Sequence, residues 1–562
     1  MNAIAASYLC KNYFMLRRLY LSVFLMVQLA VFAQPANNLN PLSPKPINAT
    51  RPKLVIGLVV DQMRWDYLYR YSGQYGANGF HRLLAEGFSC ENTMIPFLPT
   101  YTAPGHACVY TGSVPAINGI AGNNWYDRNS KKTVYCTGDD TSKTVGSSSG
   151  AGNMSPANLW ATTVTDELRL SNNFKSKVIG IALKDRGAIL PAGHSANAAY
   201  WYDDAVGKWI TSNHYMNVLP AWVNKFNDQD LVSAYMSKDW NTLLPIEKYS
   251  QSTADDKPYE GSISGEKGSV FPHKLSLIGK EKYAAFKTTP YANTYTFDFA
   301  KAAIEHEQLG KNTVADFLAV SISSTDYIGH TFGPNSIEAE DTYLRLDKDI
   351  ADFLTYLDGK IGKGNYLLFL SSDHGAAHVP GFLKEHKLPG GVMDDAGIQK
   401  QLNATVQEKL GISNAVEQLM NYQVYLSSAA KEKEAAVKEL IINELKKNEV
   451  IVTAVDLTTA SAASLPQPLK DRIINGYTPS RSGDIQFILK PGYFDGGTKG
   501  TTHGLWNPYD AHIPLVFFGW NVKQGKLNRE TYMTDIAATI AAMLQIQMPS
   551  GCVGQVITEL IK

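Results

Sequence analysis

The sequence predicts an α/β protein built on a mostly parallel central sheet flanked by helices, with a smaller α+β subdomain inserted into it. Three observations lead there. Continuous apolar runs recur along the chain, as strands buried on both faces require. Stretches of helical apolar spacing separate them, as in Ser336 to Leu357, where Leu346, Ile350, Phe353, Leu354 and Leu357 share one face. Strands alternating with such helices are the pattern of a parallel sheet with crossover connections.

In chain order, Arg17 and Arg18 stand ahead of the apolar run Leu19 to Ala33, which ends in small residues and turns polar at Gln34. This is the form of an export signal covering residues 1–33, with Met15 as an alternative start. The run is shorter than the roughly 20 apolar residues that a membrane span needs. Cleavage, no stable membrane anchor and a periplasmic or secreted location are therefore expected. Cys10 precedes the run, which does not suit a lipoprotein signal.

A Pro/Asn-rich linker, 34–53, leads into the domain 54–562, whose first buried strand is "KLVIGLVVDQ", ending at Asp61. The same form recurs in "KVIGIALKDRG", "FLAVSISSTD", "NYLLFLSSDHG" and "HIPLVFFGW". Two stretches break the rhythm. Residues from about 191 to 295 are rich in Trp, Tyr, Asn, Ser and Gly and read as an irregular insertion. Residues from about 390 to 488 hold a Lys/Glu-rich helical pattern followed by strand-like "VIVTAVDL" and "DIQFIL"; this is the inserted subdomain, its charge run a solvated helix face. No internal repeat is present.

The chain has 562 residues, 44% hydrophobic and 19% charged, with a formal net charge of zero. Balanced charge supplies no general basic surface, so a nucleic-acid partner is not expected and any anion must be held locally. Without the signal, Cys90, Cys108, Cys136 and Cys552 remain; four cysteines allow three pairings and are too scattered for a zinc module, so they read as structural.

Ligands of open α/β sheets bind at the carboxyl ends of the strands. Asp61, Asp326 and Asp373 follow three of the apolar runs. One such Asp is an ordinary turn or cap residue. Three form a negative cluster that calls for a cation. Histidines accompany them: His330 stands four after Asp326, on the same side of a helical turn, His374 adjoins Asp373, and His503 lies in the Gly/Thr-rich "GTTHG". Carboxylates and imidazoles without thiolates suit zinc in a catalytic site. His378 stands four after His374, but no Glu follows His374, so the zinc-protease pattern is absent. His106 and the other histidines read as surface or satisfied core residues. In "PTYTAPGH", a helix starting near Pro104 would put Thr102 at its entrance, as a cap or as a reactive group. Lys184 and Arg186 in "LKDRG" are two apart and able to point the same way, toward an anion or, alternatively, into solvent with Asp185. Asn123, beside Asn124, offers an amide donor.

"VVDQ", "PTYTAPGH", "LKDRGAILPAGH", "TDYIGH", "SSDHG" and "THG" occur in the order found in the alkaline phosphatase superfamily. The chain most resembles its phosphate-irrepressible bacterial branch, which has a threonine nucleophile and is related to the type I phosphodiesterases and nucleotide pyrophosphatases. The resemblance covers nearly everything after Pro52. It implies two zinc ions, one held by Asp326, His330 and His503, the other by Asp61, Asp373, His374 and the hydroxyl of Thr102. It implies that Thr102 attacks phosphorus, that Asn123, Lys184 and Arg186 contact the transferred phosphoryl group, and that the substrates are small phosphate monoesters. Sulfatase relatives need a Cys or Ser where Thr102 stands and an Arg where His106 stands, so that activity is not implied. The oligomeric state is left open, a monomer being compatible with the sequence.

Overall fold

Along Leu54–Val60 the side chains alternate between two apolar cores: Leu54, Ile56, Leu58 and Val60 enter one, Val55 and Val59 the other. A strand with no solvent face sits at the centre of a sheet. In the computed structural model, which describes Arg51 to Lys562, it does so. The export signal, Cys10 and most of the linker read from the sequence lie outside the described residues. Leu54–Val60 pairs in parallel with Tyr366–Ser371 on one side and Asp316–Ile322 on the other. Val178–Ala182 and then Ala198–Asp203 continue the parallel set. Among the described residues the sheet has ten strands.

The apolar run Leu515–Gly519 joins this sheet antiparallel to Tyr366–Ser371, although in sequence it looks like the parallel strands. Burial on both faces sets composition, whereas direction depends on the connection. The aromatic-rich stretch after residue 191 opens with Ala198–Asp203 and one further sheet strand, Lys208–Ser212, which pairs antiparallel to it. Its irregular part follows them. Ile337–Leu357 is a single helix whose first turn is capped by Ser336 accepting from Ala339 N–H.

The smaller subdomain is a four-stranded antiparallel sheet in the order Val416–Met420, Gln423–Leu426, Ile485–Leu489, Ile451–Asp456. It has its own core, in which Leu402 and Val406 from Asp395–Leu410 and Val437 and Ile441 from Glu434–Leu445 meet Phe487. Cys90, Cys108, Cys136 and Cys552 are free thiols, and the first three are buried. Among the described residues, no helix is long and apolar enough to cross a membrane.

Candidate active site

Three adjacent parallel strands end at one edge of the sheet, and each delivers a carboxylate there. Asp61 follows Val60, Asp373 lies two residues past Ser371, and Asp326 lies in Ser324–Phe332, the helix that follows Asp316–Ile322. All three are buried. They fall into two groups, Asp326 with His330 and His503, and Asp61 with Asp373 and His374, each with ligand atoms within 4.8 Å of one another. The sequence-predicted ligand residues are thus brought together.

Each imidazole is held by its far nitrogen. His330 Nδ1 donates to the Thr501 carbonyl (2.8 Å), His374 Nδ1 to Gly375 (3.0 Å) and His503 Nδ1 to Thr100 (2.7 Å). A carbonyl only accepts, so in the neutral ring each Nε2 keeps its lone pair for the site. Burial holds His374 below the ordinary imidazole value, and burial with His374 and His330 nearby holds His503 well below it. Burial, reinforced by Asp326 and Asp373, pushes Asp61 well above the carboxylate range. Asp326 is held well below it, because His330 and Lys184 outweigh the cost of burial.

Asp61 Oδ1 and Asp373 Oδ2 are buried with no hydrogen-bond partner. These orphaned oxygens beside His374 Nε2 fit a divalent metal ion with nitrogen and oxygen ligands, since buried anionic oxygens need a cation, and Asp326, His330 and His503 offer a second set of the same donor types.

Thr102 is the first residue of the helix Thr102–Thr111; the cap position belongs to Tyr101. Thr102 is therefore no cap. Its Oγ1 lies 3.3 Å from His374 Nε2, at the positive end of a buried helix. Gly105 lets this helix approach: a Cβ there would stand 2.4 Å from the Asp373 carbonyl oxygen.

Lys184 is the N-cap of Asp185–Ala192, and Arg186 is the second residue of that helix. Lys184 Nζ donates to Asp61 Oδ2 (2.6 Å) and Asp326 Oδ2 (2.5 Å), one carboxylate from each group. Burial opposes its charge, yet Asp326 and Asp61 hold the ammonium above its ordinary value. Arg186 Nη1 donates to the Tyr135 hydroxyl at 3.0 Å. Asp185 accepts from Tyr135 and Thr137, so it forms no ion pair with either cation. Asn123 Oδ1 accepts from Ala103 N–H (2.8 Å) in the first turn of the Thr102 helix; Asn124 instead begins a hairpin strand.

Two supporting residues escaped the sequence reading. His106, expected to be a satisfied core residue, is one, but its Nδ1 also stands 3.2 Å from Asp373 Oδ2. Its position four after Thr102 was the available signal. Gln62 donates from Nε2 to Asp326 (2.7 Å) and from its backbone to Asp373 (3.2 Å), tying the two groups together. His378 faces Arg64 and Asn335 and belongs to neither group.

Residues 55–512 match the family model described as type I phosphodiesterase / nucleotide pyrophosphatase. Alkaline phosphatase PhoV of Synechococcus elongatus is 55% identical over 520 residues, 92% of this chain and 94% of that protein. A Myroides odoratus protein named calcium-transporting ATPase is 56% identical over 521 residues, 91% of this chain and 95% of its own. Alkaline phosphatase PafA of Elizabethkingia meningoseptica is 51% identical over 518 residues, 91% of this chain and 95% of that protein. A crystal structure of wild-type PafA superposes with a TM-score of 0.89 at 51% identity, over 91% of this chain and 99% of that one. PafA has also been solved as a variant with a threonine, an asparagine, a lysine and an arginine replaced.

Proposed function

The chain belongs to the type I phosphodiesterase / nucleotide pyrophosphatase family and is an alkaline phosphatase, and from that premise we propose that it is an exported, zinc-dependent phosphomonoesterase acting through a phosphothreonine. One observation carries this reading: Thr102 Oγ1 lies beside one of two carboxylate–imidazole groups that a single buried lysine bridges. The four residue types replaced in the PafA variant are those of Thr102, Asn123, Lys184 and Arg186.

Asp326, His330 and His503 would hold one zinc ion; Asp61, Asp373, His374 and Thr102 would hold the other. When bound, the two ions supply Lewis-acid charge that makes a hydroxyl nucleophilic and stabilises the oxygens of an in-line displacement. Thr102 Oγ1 attacks phosphorus as the ester P–O bond opposite breaks and the alcohol departs, with the start of the Thr102 helix favouring the anion. Without metal, Lys184 donates to Asp61 and Asp326; with those carboxylates held by the ions, its N–H groups are available to a phosphoryl oxygen. Asn123 Nδ2 and the guanidinium of Arg186 supply further donors. Water then hydrolyses the phosphothreonine and restores Thr102. A monoester carries nearly two negative charges and a diester one, so these cationic donors favour the monoester. Hydrolysis of diesters by the same residues is the second reading, which the family description favours.

Phosphate release from an aryl monoester and an aryl diester, measured on the enzyme as purified, chelated and reloaded with zinc, tests the proposal. A strong monoester preference that vanishes and returns with zinc is expected. Preference for the diester would overturn the roles of Lys184 and Arg186, and turnover after complete chelation would overturn the metal assignment.

A further inference from the structure

Arg186 has one hydrogen-bond partner, the Tyr135 hydroxyl, and its Nε is buried without any. An arginine beside an anion site gains its directional power from a guanidinium held in one plane. The question is what holds it. Asp185, its neighbour, is engaged by Tyr135 at 2.7 Å and by Thr137 at 2.5 Å. The Tyr135 hydroxyl has one proton, which goes to Asp185; its lone pair accepts from Arg186. The same oxygen thus joins a carboxylate and a guanidinium that do not touch.

Tyr135 ends the second strand of the hairpin Asn124–Asp127 and Lys132–Tyr135, where it pairs with Asn124. Cys136 N–H, next along, donates to the Asn123 carbonyl at 3.0 Å. Asn123 in turn receives Ala103 N–H from the first turn of the Thr102 helix. One hairpin end therefore registers Arg186, through Tyr135, against the loop that carries Asn123 and against the nucleophile's helix. Burial and the neighbouring Asp185 push the phenol well above its ordinary range, despite the opposing pull of Arg186, so it stays a neutral donor and acceptor.

We propose that Tyr135 is a positioning residue that sets the preference for phosphate monoesters by fixing the plane of the Arg186 guanidinium relative to Asn123 and Thr102. This rests on the reading of Arg186 as a phosphoryl contact. Tyr135 touches no substrate; it acts through Arg186.

The test uses the zinc-loaded enzyme and the variants Tyr135→Phe, Arg186→Ala, their combination, and Thr137→Val, with kcat/KM measured for an aryl monoester and an aryl diester. Zinc content and Tm are recorded for each. Loss of a hydrogen bond to a charged group predicts a fall of about tenfold on the monoester for Tyr135→Phe, with less than about twofold on the diester. In the Arg186→Ala background Tyr135→Phe has no further effect on the monoester. Thr137→Val removes the other hydroxyl from Asp185 but leaves Tyr135 on Arg186, and it keeps the monoester preference. The proposal is overturned if Tyr135→Phe lowers both substrates equally, if its effect is undiminished without Arg186, or if Thr137→Val reproduces it. Should Arg186→Ala itself leave the monoester-to-diester ratio unchanged, the Arg186 assignment fails first, and that result is distinct from the others.

Discussion

Replacing Lys184 by Met should weaken the metal-free fold and tighten metal binding at once. The ammonium is 2% exposed and sits 2.6 Å from Asp61 and 2.5 Å from Asp326. Removing one partner of a buried ion pair costs about 3 to 5 kcal/mol, because the other charge is left uncompensated. Asp326 keeps Gln62 and His330 as partners, whereas Asp61 relieves part of the strain by taking up a proton, which its raised pKa already favours. About 4 kcal/mol is therefore expected in the chelated protein. With divalent ions present the carboxylates have other cations, and the loss shrinks to about 1 kcal/mol. The difference of about 3 kcal/mol closes a thermodynamic cycle: the native variant should bind the metal pair about 100-fold more tightly. Urea unfolding in chelator and in saturating zinc, with competition against a chelator of known affinity, measures every side. Equal destabilisation in both states, or unchanged or weaker metal binding, would refute the idea that Lys184 competes with the ions for the same carboxylates.

Thr102→Ala should abolish turnover while keeping the metal held by Asp326, His330 and His503, and Thr102→Ser should retain part of the turnover; zinc content and single-turnover phosphate release separate these. Gly105→Ala should lower zinc content and activity together, since its Cβ would stand 2.4 Å from the Asp373 carbonyl and 2.7 Å from the Asp373 Cβ, neither of which can swing away. Burial opposes the charge of His273, yet Glu266 at 2.9 Å and Glu338 at 3.2 Å push its pKa up to about 9. That stabilisation is complete below about pH 6.5 and disappears as pH rises through about 9, a loss on the order of 3 kcal/mol. Tm should accordingly fall between neutral and strongly alkaline pH, and His273→Gln should flatten the decline.

The strands and their terminal aspartates were legible because a double-faced burial leaves an unbroken apolar run, and the run stops where the chain reaches the ligand edge. The ligand histidines were legible from spacing only within local segments, such as Asp326 and His330; His503 entered through its motif. What local spacing could not express was direction and reach. Leu515–Gly519 has the composition of a parallel strand and runs the other way. Lys184 and Arg186 stand two apart with a helix beginning between them, and the spacing names neither the Asp61 and Asp326 carboxylates that Lys184 reaches nor the Tyr135 hydroxyl that Arg186 reaches. His106 and Gln62 brace the site across long sequence separations, through contacts that only the closed sheet creates.

The three imidazoles at the site are anchored to main-chain carbonyls of Thr100, Gly375 and Thr501 rather than to side chains. At Thr100 and Thr501 a side-chain substitution leaves the anchoring carbonyl in the chain, whereas at Gly375 a Cβ would stand 2.1 Å from the Tyr509 carbonyl oxygen and push the anchor out of place. The ring orientations of His503 and His330 are thereby shielded from ordinary mutational drift. A lineage that came to use an ion of different size or geometry would have to reroute the loops at residues 100, 375 and 501, whereas changes of substrate could be tried at Arg186, which donates to Tyr135 and to none of the ligand carboxylates.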